Sequence, residues 1–362
     1  MNKKISLVTC GLLLSTSMAF GADSIDEAFK TGSVSGDITL YGSTADNKDG
    51  NPDSDFAAAT TGLAYETASF KGLKAKAGFR AGHVFGNSAP LGAKAVMTEA
   101  NVSYATDAFS LTVGRQAIDL EWLGDYNEAV VAGITAIPNT SIVVGYVNQQ
   151  AVADEDEIEE FAEVTEDGVY VVDVKYTGLK NVELNPYFYS APDAVNFYGL
   201  KASFSTDMFG LVAQYAASDV DTVYGTANSI SDGSIGHVEA STSIAGISAA
   251  LGYIKTDKTG GTGGIDSYGD NISPFDKGEN TYSADAKTVY GSLGYSIAGV
   301  DLGLLYGETD YAVNGEEKEL NLMSSYNITD SLGLSLLYVK YDEEASPGND
   351  SDYATATLAY SF

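Results

Sequence analysis

Tyr353-Ala354-Thr355-Ala356-Thr357-Leu358-Ala359-Tyr360-Ser361-Phe362 alternates without a break to the last residue. Ala354, Ala356, Leu358, Tyr360 and Phe362 share one phase; Tyr353, Thr355, Thr357, Ala359 and Ser361 share the other. Successive side chains of a strand leave opposite faces, so this segment is a strand with an apolar face and a hydroxyl-rich one. Val300, Leu302, Leu304 and Tyr306 repeat the pattern, as do Leu332, Leu334, Leu336 and Tyr338. So do Ile247, Ala249, Leu251 and Tyr253, and Val289, Gly291, Leu293, Tyr295 and Ile297. An aromatic ring stands near one end of each apolar face. The opposite faces carry Gly, Ser, Thr and charge, which suits contact with water better than the interior of a sandwich.

The N-terminus indicates export. Lys3 and Lys4 precede an apolar stretch from Ile5 to Met18, followed by Ala19-Phe20-Gly21-Ala22 and the acidic Asp23. A basic start, a short apolar middle and small residues at the end make a secretory signal over residues 1–22, leaving 23–362 as the exported domain. The stretch is too short for a spanning helix, which needs about 20 apolar residues. Cys10, the only cysteine, lies inside the signal, so the exported domain is expected to have neither a disulfide nor a thiolate site. Removing two lysines takes the formal charge from −31 to −33.

Connection lengths organise the strands. Short turns fall at Phe70-Lys71-Gly72, Thr106-Asp107-Ala108, Ile137-Pro138-Asn139, Gly178-Leu179-Lys180, Thr206-Asp207-Met208, Ala245-Gly246, Ala298-Gly299 and Thr329-Asp330-Ser331. Between and outside these eight lie nine other connections, most of them long and polar, such as 85–95, 116–127, 151–167, 218–234 and 256–284. Seventeen connections join 18 strands, with both termini on the short-turn side. An even number of antiparallel strands, short turns on one side and long loops on the other describes a transmembrane β-barrel of the bacterial outer membrane, with periplasmic turns and extracellular loops. A barrel of 16 to 18 strands is wide enough for an aqueous channel.

Charge locates the candidate constriction. Leu73, Ala75, Ala77 and Phe79 form an apolar face, so Lys74, Lys76 and Arg80 point into the lumen; on the lipid face each would cost about 2–4 kcal/mol. Arg115 follows Phe109, Leu111 and Val113 in the apolar phase, and either lies beyond the lipid zone or, the preferred expectation, follows a bulge that turns it inward. The third outer loop then offers Asp119, Glu121 and Asp125 as an acidic wall facing the bases. Asp154-Glu155-Asp156-Glu157-Ile158-Glu159-Glu160 is a dense acidic block in the fourth loop, and further acids load the first and last loops. Such a mouth concentrates cations and repels anions over about 8 Å at physiological salt. The same acids also suit a solvated outer surface among lipopolysaccharide.

Leu111-Thr112-Val113-Gly114-Arg115-Gln116-Ala117-Ile118-Asp119-Leu120, followed by Trp122-Leu123 and Asp125-Tyr126, resembles the signature of the 18-stranded porins related to outer-membrane porin D, and especially the major outer-membrane porins of the campylobacter group. The resemblance implies a homotrimeric barrel with the third loop folded inward and a channel that prefers cations or passes amino acids. Some members hold a divalent cation such as Ca²⁺ at the constriction, which makes Asp119, Glu121 and Asp125 the candidate ligands. No other cofactor is expected. Phe362 resembles the terminal aromatic that the barrel-assembly machinery reads. With only two arginines, the chain departs from the basic ladder of porin D.

Other functions find little support. His83 and His237 accompany no nucleophile elbow or metal motif, so no enzyme activity is expected. Gly260-Gly261-Thr262-Gly263-Gly264 lacks the Lys-Ser/Thr ending of a phosphate loop and reads as the tip of the seventh outer loop. The negative charge disfavours nucleic acid. The expected function is passive diffusion of small polar solutes through a cation-preferring porin. The alternatives are a specific channel for small amino-acid-like solutes and an adhesive surface barrel.

Overall fold

The computed structural model describes residues 21–48, 51–86, 91–264, 269, 271–312, 315–344 and 349–362. The signal expected at 1–22 lies almost wholly outside these residues. No described helix is long and apolar enough to cross a membrane. The strands cross instead.

A short helix α1 (Ile25–Lys30) precedes β1 (Ser33–Asn47), β2 (Ser54–Glu66), β3 (Leu73–Val84), β4 (Ala95–Ala105), β5 (Phe109–Ala117), β6 (Tyr126–Ile134) and β7 (Thr140–Ala151). A two-residue strand, β8 (Ala162–Glu163), touches only the rim of β7. The wall continues with β9 (Val169–Leu179), β10 (Val182–Ala191), β11 (Val195–Ser205), β12 (Phe209–Val220), β13 (Ser234–Ile244), β14 (Ile247–Thr256), β15 (Lys287–Ile297), β16 (Val300–Tyr311), β17 (Gly315–Thr329), β18 (Leu332–Glu343) and β19 (Ser351–Ser361). Of the 19 strands in the sheet, setting β8 aside leaves 18 in the wall. Each pairs antiparallel with its neighbours, β7 passes directly to β9, and β19 pairs with β1, so the sheet closes with no free edge.

Closure gives each wall strand a hydrogen-bonding partner on both sides, the condition for backbone crossing hydrocarbon. At the seam the Gly36 amide donates to the Phe362 carbonyl at 3.0 Å, and the Phe362 amide returns a bond to Gly36 at 3.0 Å. All eight short turns expected from sequence join strands on one side. Ala245-Gly246 and Ala298-Gly299 place both residues at positive φ, the two-residue hairpin geometry whose twist matches that of its strands. The first outer loop is short, residues 48–53 between β1 and β2.

Alternation sorts the two faces. Leu40, Leu63, Phe79, Val102, Leu200, Leu211, Leu251, Leu293 and Leu336 are exposed on the outside. Tyr104, Tyr198, Tyr215, Tyr253, Tyr306, Tyr338 and Tyr360 stand among them. These side chains would be misplaced in water. In a bilayer they form the apolar band and its aromatic borders.

Candidate functional site: a lumen narrowed by three loops

The two clusters of buried apolar residues lie inside the barrel, where inward side chains meet loops folded back from the outer rim. The third loop continues the β5–β6 hairpin: the Ile118 amide donates to the Asp125 carbonyl at 2.9 Å, and the Leu120 amide to Leu123 at 2.8 Å. Its tip carries Trp122 and Leu123, at 0% and 1% exposure, against Tyr187, Tyr189 and Phe197 of the inner wall. Glu121 anchors the tip. It pairs with Lys201 of β11 at 3.0 Å and accepts from Gln214 of β12 at 2.8 Å.

The seventh loop approaches from the other side. Asn271 donates through Nδ2 to the Leu120 and Glu121 carbonyls, both at 2.9 Å, joining the two loops. Glu319 of β17 accepts the successive amides of Asp276, Lys277 and Gly278 at 2.6, 2.8 and 2.7 Å. Glu317 accepts from the Asn280 side chain at 2.8 Å and the Tyr341 hydroxyl at 3.1 Å. Two inward carboxylates thus organise loop backbone. Lys277 extends over the Tyr353 ring of β19 at 3.7 Å.

The fourth loop also turns in. The Ile158 amide donates to Leu91 at 2.8 Å, the Ala93 amide donates to Ile158 at 2.7 Å, and Ile158 packs with Ala58, Leu91, Val96 and Ala153. Its acidic block is thereby held against the second outer loop, between β3 and β4, and lies within electrostatic reach of the third loop. Asp125, at positive φ where the third loop rejoins β6, is pushed up to about 6, first by burial and then by the charges of Asp154, Glu157 and Glu159.

Three candidate bases stand where alternation puts them, on the inner face of β3, and each has an acid partner. Lys74 meets Glu66 at 2.6 Å and Lys76 meets Glu99 at 2.8 Å. Arg80 grips both oxygens of Asp37 at 2.7 and 3.1 Å and donates to Thr60 at 3.0 Å. The fork geometry suits a planar guanidinium.

Arg115 stands elsewhere, and the inward bulge expected for it is absent. Gly114 takes φ +116, but the register of β5 with β4 and β6 does not shift. Arg115 stays in phase with Val113, opposite Glu128, which it meets at 3.2 Å, and its guanidinium lies 4.1 Å from the Phe161 ring centre. It is near the outer end of its strand, where a paired charge needs no inward turn. The register shifts fall next door, in the β3–β4 and β6–β7 pairings.

The third loop's acids also part company. Asp119 is exposed, Glu121 is committed to Lys201, and Asp125 faces the fourth loop. Among the described residues no group of three or more acidic, histidine or cysteine side chains is arranged to hold a metal ion. Glu66, Glu99, Asp37, Lys201 and Gln214 were not singled out from sequence. Their inward phase was readable, but their pairing depends on register between strands far apart in the chain.

Residues 23–209, more than half of the 362, match the family model described as "Putative outer membrane protein". The chain belongs to this outer-membrane protein family. No curated protein matches the sequence. Among solved structures the barrel is similar to OccAB4 of Acinetobacter baumannii, at 16% identity and TM-score 0.75, covering 91% of this chain and 98% of that one. It is similar to OccK8 (OprE) of Pseudomonas aeruginosa at 13% identity and TM-score 0.76, with 92% and 99% covered. OpdK of P. aeruginosa, crystallised with vanillate, follows at 14% identity and TM-score 0.74, with 92% and 99% covered. At these identities the likeness is one of fold, that of an 18-stranded porin barrel. The outer-membrane protein family and the barrel's lipid-facing band agree on where the chain resides.

Proposed function

We propose that this outer-membrane barrel is a porin: a passive, water-filled channel for small polar solutes that favours cations. The observation that carries the reading is the distribution of paired and crowded charge inside the wall. Four inward bases, Lys74, Lys76, Arg80 and Lys201, are each neutralised by a carboxylate. Asp125, by contrast, is crowded by the acids of the fourth loop. Paired bases attract anions weakly, while surplus acid draws cations toward the narrow point. The sequence stretch Leu111–Tyr126 supports placing the channel with the campylobacter-type porins, and a homotrimer and a cleaved signal at 1–22 belong to the same reading. Asp119, Glu121 and Asp125 stand apart, so the third loop's acids offer Ca²⁺ no shared site.

A second reading, a channel specific for one class of small solute, is favoured by the polar group on the far wall. The Tyr290 hydroxyl donates to Glu239 at 2.6 Å, and His237 Nε2 lies 2.9 Å from the same hydroxyl. Proteoliposome swelling separates the two. General cation-preferring diffusion gives rates that fall smoothly with solute size and are faster for lysine than for glutamate. Equal rates for the two amino acids would remove the cation preference, and rapid entry of one solute far above its size class would favour the specific channel.

A further inference from the structure

We propose that α1 is an interfacial anchor that lays Ile25 and Phe29 into the periplasmic headgroup layer beside the barrel's lower rim. Ile25 and Phe29 are 60% and 57% exposed. Their i, i+4 spacing puts them on one face of the helix. Asp26, Glu27 and Lys30 are the polar residues of the same six, and Ala28 is buried.

The helix is held in place rather than trailing into the periplasm. Ser24 caps it, its hydroxyl accepting the Glu27 amide at 3.1 Å, while the Asp23 amide donates to the Glu27 carboxylate at 2.8 Å. The Ala68 amide donates to the Ala28 carbonyl at 3.0 Å, fastening the helix to the first periplasmic turn. The Tyr65 hydroxyl donates to the Phe29 carbonyl. Tyr65 is in the outward phase of β2, alternating with Glu66, whose carboxylate meets Lys74 in the lumen. The C-terminal end of α1 is therefore fastened to the lipid side of the rim.

Lipid is the occupant these contacts favour. Thr31 and Gly32 alone separate the helix from β1, a tether of at most about 7 Å at 3.3–3.6 Å per residue. Val34, Leu73, Tyr104 and Phe362 are exposed on the same rim. The apolar face of α1 thus extends the lipid-facing band of the wall, as short amphipathic helices do at a headgroup boundary. The inference rests on the outer-membrane location and not on conduction.

Cys10, the only cysteine of the sequence, lies in the expected signal, so a single cysteine placed in the exported barrel gives a unique label. Nitroxides at Ile25→Cys, Phe29→Cys, Asp26→Cys and Lys30→Cys are compared in the full barrel in phospholipid vesicles, with folding checked by heat-sensitive electrophoretic mobility. The expected result is a several-fold higher ratio of oxygen to aqueous nickel-chelate accessibility at positions 25 and 29 than at 26 and 30. Chelate access at all four would overturn the anchor. So would shielding of 25 and 29 from both reagents, the mark of a protein partner or a second copy. Conductance of the same samples reports separately on the channel reading.

Discussion

At the scale of residues, ionisation of the third loop is the sharpest consequence. Asp125 sits among Asp154, Glu157 and Glu159, and its carboxyl titrates near 6 in place of the usual 3.8. A carboxyl raised on folding binds its proton more tightly in the docked state. Its contribution is fully present below about 3.8 and is lost as pH rises through about 6. Contact between the third and fourth loops is therefore expected to tighten on acidification, while one negative charge leaves the constriction. Reversal potentials in a KCl gradient should show cation preference falling between pH 7.5 and 5. Asp125→Asn should flatten that dependence, and an unchanged titration in the variant would assign it to another group. The inward phase of Lys74, Lys76 and Arg80 was legible from the Leu73–Phe79 alternation. Their partners were not, because Asp37 and Glu99 meet Arg80 and Lys76 only through register and a shift in β4. The sequence also misread Arg115: its phase was right, but it is neutralised in place by Glu128 and not turned inward.

At the scale of elements, the loops explain why a wide barrel has a narrow path. The third loop's inward course was expected only from the resemblance carried by Leu111–Tyr126, and the structure holds the loop there through Trp122 and Leu123, buried against the inner wall. The roles of the fourth and seventh loops were hidden. Ile158 lies within the acidic block, and the seventh loop is held by Glu317 and Glu319, which alternation marks only as inward polar residues. The Lys201–Glu121 pair should govern the position of the third loop's tip. Lys201→Met leaves a nearly buried carboxylate without its cation, at a cost of roughly 1–3 kcal/mol. The expected outcome is larger and noisier single-channel steps as the tip loosens, with the barrel still folded. Glu121→Gln keeps a partner for Gln214 and should perturb the steps less. Steps of wild-type size and noise in Lys201→Met would mean that Trp122 and Leu123 hold the tip unaided.

At the scale of the whole molecule, the strand count, the direction of the turns and the closure of the ring all follow from residues alternating between lipid and water. That pattern persists through Gly-rich strands because a slip of one residue would turn each apolar row into the lumen. The seam between β19 and β1 is the last ladder to form in chain order, and Phe362 supplies both of its terminal backbone bonds. Deleting Phe362 removes these bonds and an aromatic from the lower rim. Less heat-modifiable barrel in outer-membrane fractions is expected, and an undiminished yield would show that the seam closes without it.

The central claim is that water crosses the membrane through the space these three loops leave open. Single-channel recording of the purified barrel in a planar bilayer tests it most directly. Discrete, ohmic current steps with a reversal potential on the K⁺ side are the predicted result; a folded, membrane-inserted barrel that passes no current would contradict it.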